Sequence, residues 1–313
     1  MLQQTTDPGS GEKYSNQTKR IINKDGSFNV VRKGKNFNSR DFYLFLINTS
    51  WPKFLGLMLL FYLLINLIIA GIYFLAGVEH LANLPPNNKY LSVFFFSVQT
   101  FTTVGYGNIS PQGVPANIIA SFEAMSGWLF FALATGLLYG RFSRPSARIL
   151  FSRNMIVTPA EPWPKLMFRI VNQRSNMLME MEGRMILVLT DCANNQHNRK
   201  YYNLKLEISN IVFFPMNWTM VHVINEESPL YGKTLEDLQR QEAEILIHIK
   251  GFDDSFSQVL HTRYSYRHEE IVWNARFRRI YETDENGNII MHLDEIHSHE
   301  TVPEREVISI VAK

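Results

Sequence analysis

The chain has 313 residues, 46% of them hydrophobic, with a formal net charge of +2. That length allows about two domains, and no nucleic-acid partner is expected; the net charge itself says little, and its distribution says more. Cys192 is the only cysteine, so an intrachain disulfide is excluded, which suits a reducing compartment.

Residues 1–36 are polar, with Gly, Asn and Lys, and are expected to be disordered or loosely docked on the cytoplasmic side. Residues 37–51, "FNSRDFYLFLINTSW", place Phe42, Phe45 and Leu46 on one helical face. They predict an interfacial helix anchored by Trp51, with a plain extension of the following span as the alternative. Residues 52–140 form the predicted membrane domain. Phe54 to Gly77 carries no charge, and Val114 to Tyr139 carries only Glu123. Each run exceeds the roughly 20 residues that cross a bilayer. Core helices of soluble proteins rarely stay apolar on every face for so long. Between the spans, "YLSVFFFSVQTFT" (90–102) is apolar but too short to cross, which suggests a re-entrant helix.

Lysine and arginine cluster before the first span and after the second, whereas Lys89 alone lies between them. The positive-inside rule then puts both termini in the cytoplasm. Residues 141–150 read as a linker. From there the period becomes two: "KLMFRIV", "MILVLTD", "MVHVI" and "EILIHI" are strand-like. "TLED" at 234–237 resembles a capping box, and "YETDENGNIIMHL" a hairpin turning near Asn286–Gly287. Many short strands with one short helix predict an all-β sandwich over 151–313. His292, His297 and His299 lie in a polar stretch near the C-terminus and are taken as a solvated tail or strand end rather than a metal site.

The stretch "TTVGYG" (102–107) needs a separate explanation. Irregular backbone lies at membrane depth only where protein buries it or it lines a watery path. A row of carbonyls aimed one way can replace the water around a dehydrated cation. Gly105 and Gly107 supply backbone angles that side chains disfavour. Thr103 adds a hydroxyl, Val104 and Tyr106 complete the row, and the Tyr106 ring is expected to pack behind the strand as a spacer. The stretch matches the TVGYG filter of potassium channels, with potassium held by Thr103, Val104, Gly105 and Tyr106. One chain supplies one strand of such a filter, so four chains are required. Neither span carries regularly spaced arginines, which excludes a voltage sensor. No G-x-G-x-x-G follows a strand, which argues against a nucleotide-binding regulatory domain.

The chain resembles the inward-rectifier potassium channel family, prokaryotic branch. "FFFSVQTFTTVGYG", "GRFSRPSARILFS", "MFRIVNQRSNMLMEM", "HVINEESPLYG" and "HEEIVWNARF" carry the resemblance over roughly residues 20–295. It implies a homotetramer with two transmembrane helices and a re-entrant pore helix per chain. It also implies cytoplasmic immunoglobulin-like domains that extend the pore, in a bacterial inner membrane. Potassium is then the permeant ligand, with no organic cofactor and no enzymatic activity.

The family's eukaryotic members carry a glutamate–arginine pair around the filter. Gln99 and Ile109 stand at those positions here, so that pair is absent. Gln99, Thr102 and Glu123 are expected to support the filter, with Glu123 hydrogen-bonded to the pore helix or the Thr102 region. Phe131 stands where strong rectifiers carry an acid that holds magnesium or polyamines, so only weak block by such cations is expected. Phe131 and Tyr139 are candidate gates; eight residues apart, they are expected to face nearly the same way. Gly136 and Gly140 form a small-xxx-small pair, read as packing or as a gating bend at Gly136. Glu180 is expected as an acidic ring in the cytoplasmic pore, opposed by Lys250. Arg141, Arg144 and Arg148 either set topology alone or also bind anionic lipid headgroups.

Two other classes compete with a selective channel. A membrane-anchored sensor would have no use for Gly105 and Gly107 in this frame, and a nonselective pore would carry a broken filter sequence.

Overall fold

The computed structural model describes residues 4–14, 20–34, 39–143, 148–193 and 196–302. Strands β1 (Gln4–Thr5) and β2 (Lys13–Tyr14) precede helices α1 (Ser39–Asn48) and α2 (Trp51–Ala76). The short strands β3 (Leu81–Ala82) and β4 (Ser110–Pro111) flank α3 (Lys89–Phe101), and α4 (Gly113–Phe142) follows. Then come β5 (Ile149–Phe151), β6 (Met155–Thr158), β7 (Lys165–Asn172), β8 (Leu178–Ala193), β9 (Gln196–Leu204), β10 (Asn210–Phe213) and β11 (Asn217–Val223). The chain continues through α5 (Leu235–Arg240), β12 (Glu244–Asp253), β13 (Gln258–Arg267), β14 (Ile271–Trp273), β15 (Ala275–Phe277), β16 (Tyr281–Thr283), β17 (Ile289–Met291) and β18 (His299–Thr301). These elements form two units, Gly34–Arg144 and Met1–Lys33 with Pro145–Lys313.

In the first unit, α2 and α4 are long and apolar enough to cross a membrane, with mean hydropathy of 2.5 and 1.5. Proline in the first turn of α2 starts that helix without wasting a donor. Its N-cap, Ser50, is extended (φ −64°, ψ 153°), so α1 is a separate helix and not a continuation of α2. Among the described side chains of α1, Leu46 and Ile47 are buried, while Phe42 and Phe45 are exposed. The apolar run 42–47 hides which face turns inward, and packing rather than pattern decides it. Helix α3 is too short to span and packs on α2 through Ile69, Tyr73, Val93 and Phe96. The β3–β4 ladder pairs Leu81 with Pro111 and closes the base of the α3 excursion.

The second unit is a two-sheet β structure. One sheet has the order β1-β9-β8-β12-β13, with β10 also on β8 and β2 on β9. The other runs β11-β7-β6-β14, with β5 on β7. Alternate residues of the facing strands, among them Phe168, Ile170, Leu187, Ile247 and Tyr266, fill one core. The capping box at α5 forms as expected between Thr234 and Asp237. The β16–β17 hairpin turns through Gly287 at φ +84°. His292 and His297 pair with Glu282 and the Arg153 N–H, and His299 with the His297 carbonyl. Among the described residues, no group of three or more His, Cys, Asp or Glu is placed to hold a metal ion.

Of the two expectations for the N-terminal segment, disordered or loosely docked, its described residues show docking. β1 and β2 pair with β9. Ile21 and Ile22 are buried against Val188, Tyr201 and Leu246. The buried Glu244 carboxylate accepts the Ile21 N–H at 2.9 Å and 3.0 Å. Arg20 and Lys24 both pair with Glu270. Burial pushes the Glu270 carboxyl up, but the Lys24 ammonium, the Arg267 N–H and Arg20 outweigh it and hold it below its ordinary value. Two-residue strands and a lone isoleucine pair carry no periodic signal, so this docking is invisible in the sequence.

Candidate functional site

Helix α3 ends by handing its last carbonyls to the chain that turns back from it. Val104 N–H and Gly105 N–H both donate to the Gln99 carbonyl, at 3.0 Å and 3.3 Å. Thr103 N–H donates to Thr100 O at 3.0 Å, and the Thr102 hydroxyl donates to Val98 O at 2.8 Å. Backbone angles then alternate. Thr103, Gly105 and Gly107 have φ of +60°, +54° and +80°, whereas Val104 and Tyr106 between them keep negative φ. Alternating left- and right-handed backbone sends successive N–H groups to one side and carbonyls to the other. The N–H groups of Thr103, Val104 and Gly105 are held by α3. Among the described residues, no hydrogen bond reaches the carbonyls of Thr103, Val104, Gly105 or Tyr106. Four consecutive carbonyls therefore stand free on the surface of one chain.

Glycines serve this geometry at little cost. Thr103 does not: a non-glycine residue in the left-handed region costs on the order of 1–3 kcal/mol. The sequence pointed to the two glycines for this backbone and to Thr103 only as a ligand, because side-chain type does not show left-handed strain imposed by a helix end. The Tyr106 ring is 72% exposed. A single chain offers it no wall to pack on.

Glu123 is buried within α4. Its carboxylate accepts the Tyr73 hydroxyl at 2.8 Å and lies 2.5 Å from the Ser97 hydroxyl of α3. It therefore meets the pore helix and not Thr102, whose hydroxyl stays within its own helix. One turn further along α4, Gly127 touches the end of α3: a Cβ placed there would lie 1.8 Å from the Phe101 carbonyl oxygen. Ile109 packs into the apolar cluster around α2 and α3.

Residues 57–144 match a family described as Ion channel, and residues 149–312 match the Inward rectifier potassium channel C-terminal domain. The chain is 36% identical over 281 residues to the inward rectifier potassium channel Kirbac3.1 of Paramagnetospirillum magnetotacticum, covering 89% of this chain and 95% of that one. It is 23% identical to the human inward rectifier potassium channel 18, covering 90% and 70%. A solved structure of the sporulation control protein Spo0M from Bacillus subtilis aligns over 42% of this chain and 50% of its own at 7% identity, with a TM-score of 0.22, too low to carry an argument. The chain belongs to the inward rectifier potassium channel family. It is a channel protein and not an enzyme.

Within this family member, the remaining expected residues fall as follows. Phe131 is half-exposed and lies edge-on to Phe130, with centroids 5.6 Å apart. Tyr139 is 74% exposed. Eight residues of α-helix turn through about 80° beyond whole turns, so the two rings do not share one line as expected. Nothing lies within 4 Å of a Cβ built on Gly136, whereas one on Gly140 would meet Tyr43 and Ile47 of α1. The small-xxx-small pair is thus split: Gly140 packs a helix and Gly136 does not.

Arg141 is engaged within its own chain. Its guanidinium donates to the carbonyls of Leu46, Ile47 and Thr49 at 2.5 Å, 3.0 Å and 2.7 Å, and lies over the rings of Trp51 and Phe54. It caps the C-terminal end of α1, where a cation is favoured by the exposed carbonyls. A count of basic residues shows topology but not where a guanidinium points. Arg148 is exposed, and Arg144 lies outside the described residues.

Glu180 is exposed and sits at φ +48° in an irregular stretch of β8, where the register against β12 shifts between Lys250 and Phe252. Lys250 pairs across the strands with Glu182. The Arg184 side chain holds the Glu182 carboxyl below its ordinary value. A bulge shifts facing by one residue, which strand periodicity cannot reveal.

Proposed function

We propose that four copies of this chain form a potassium-selective pore in a bacterial inner membrane, with both termini cytoplasmic. The observation that carries this reading is the row of four unpartnered carbonyls from Thr103 to Tyr106, backed by α3 through Gln99. Four such rows around an axis give rings of oxygens that replace a potassium ion's water, without a fixed charge to trap it. Gly107 ends the row, and Thr102, Gln99 and Glu123 support it from behind. The exposed Tyr106 ring then packs on a neighbouring subunit. Potassium is the permeant ligand, and no organic cofactor takes part. Purified protein in liposomes loaded with potassium is expected to take up rubidium, with sodium failing to compete. Uptake equally suppressed by sodium rejects the selective filter.

Movement of the cytoplasmic unit reaches the pore through residues 37–51 and the 141–150 linker, the chain connections between the two units. Anionic lipid headgroups bind at Arg144 and Arg148, each contributing about 1 kcal/mol near the surface. Neutralising both is expected to flatten the response of rubidium flux to anionic lipid. Arg141→Gln alone is expected to change flux at every lipid composition, because it uncaps α1. An unaltered lipid response in the double variant leaves those arginines a topological role only.

Phe131 and Tyr139 are the proposed constrictions, with Gly136, free of contacts, as the bend between them. Rings of aromatic side chains gate by excluding water. Magnesium and polyamines block weakly, because Phe131 offers no charge and Lys250 offsets the acids Glu180 and Glu182. Phe131→Asp is expected to strengthen spermine block by about tenfold or more, corresponding to ~1.4 kcal/mol. Unaltered spermine sensitivity places Phe131 away from the pore.

A further inference from the structure

We propose that Tyr73 and Ser97, acting through Glu123, and Asn66, acting through Ser97, are positioning residues for ion selectivity. The proposal rests on residues 103–107 being the filter.

All four polar side chains are buried, Asn66 and Ser97 completely. They come from three helices. Asn66 and Tyr73 lie on α2, Ser97 on α3 and Glu123 on α4. The Ser97 hydroxyl lies 2.5 Å from Glu123 Oε1 and 3.2 Å from both Asn66 Oδ1 and Asn66 O. Tyr73 donates to Glu123 Oε2, and Asn66 Nδ2 donates to Tyr62 O at 2.7 Å. Buried polar groups at membrane depth are costly and belong to function unless packing demands them.

The register shows what the network fixes. Ser97 meets Glu123, and four residues on in both helices Phe101 meets Gly127. Two contacts one turn apart set the rotation and the height of α3 against α4. Two residues after Ser97 comes Gln99, whose carbonyl holds Val104 N–H and Gly105 N–H. A shift of α3 is therefore passed directly to the filter carbonyls. Sites of this kind need positions held to within about 0.5 Å. Ser97 and Gln99 lie about 200° apart around α3, so the network holds the face of the helix away from Gln99.

The test is the potassium-over-sodium permeability ratio of the full-length channel in planar bilayers, for Ser97→Ala, Tyr73→Phe, Glu123→Ala and Glu123→Gln. Thermal stability in detergent is measured alongside. Losing one buried hydrogen bond is expected to lower the ratio about tenfold in Ser97→Ala. Glu123→Ala is expected to lower it further. Glu123→Gln, which keeps an acceptor for Tyr73 and gains a donor for Ser97, is expected to recover most of the loss. A purely structural role lowers thermal stability and leaves the ratio of conducting channels untouched, and that result overturns the proposal. If Glu123→Ala does not assemble, Ser97→Ala decides. A wild-type channel without potassium preference defeats the filter reading itself, an outcome distinct from variants that select as well as wild type.

Discussion

Gly105→Ala is expected to abolish potassium selectivity while leaving the protein folded. Gly105 sits at φ +54°, yet a Cβ built there meets nothing within 4 Å. The harm is therefore in the backbone angle rather than in a clash. An L-residue in the left-handed region costs roughly 1–2 kcal/mol, and four chains together bring that to about 4–8 kcal/mol at one ring. The cheapest relief is to flip the peptide plane, which turns a carbonyl away from the axis and an N–H toward it. A cation then meets a donor where it needs an acceptor. Rubidium uptake by Gly105→Ala protein should become sensitive to sodium or cease. Uptake that still ignores sodium would mean that the carbonyl of this residue does not contact the ion.

Gly127→Ala carries the second large effect, for a different reason. Its added Cβ would lie 1.8 Å from the Phe101 carbonyl oxygen and 2.7 Å from the carbonyl carbon. Both are backbone atoms at the end of α3, so neither can move aside as a flexible side chain would. Overpacking of this kind costs about 1–3 kcal/mol in each chain. It pushes α3, and with it Gln99, away from α4. A fall in the melting temperature of the solubilised channel and loss of rubidium uptake are both expected. Gly136→Ala is the control. Its Cβ meets nothing within 4 Å, and alanine favours a helix over glycine by about 1 kcal/mol. Gly136→Ala should melt no lower than the parent, and if Gly136 is the bend it should open less often with the same selectivity. Equal tolerance of both substitutions would contradict the close contact at Gly127.

Much of this was legible in the sequence because it depends on composition and period. Apolar runs longer than a bilayer, one uncharged and one carrying only Glu123, marked α2 and α4, and a shorter apolar run marked α3. Alternation marked the sandwich strands. What the sequence did not show depends on direction. Arg141 reads as one more cytoplasmic cation, yet it points back at the carbonyls of α1. Glu123 stands out as the single acid in a span, but its partners Tyr73 and Ser97 lie 50 and 26 residues away. Gly127 looks no different from Gly136 until the neighbouring helix is in place. The left-handed Thr103 and the docked N-terminal strands likewise arise from tertiary context, which overrides local preference.

The central claim is that the carbonyl row from Thr103 to Tyr106 conducts potassium in preference to sodium. The most direct measurement is the reversal potential of the purified channel in a planar bilayer with potassium on one side and sodium on the other. A selective carbonyl filter predicts a reversal potential displaced far toward the potassium equilibrium value, and its collapse toward zero in Gly105→Ala. A wild-type reversal potential near zero would contradict the account.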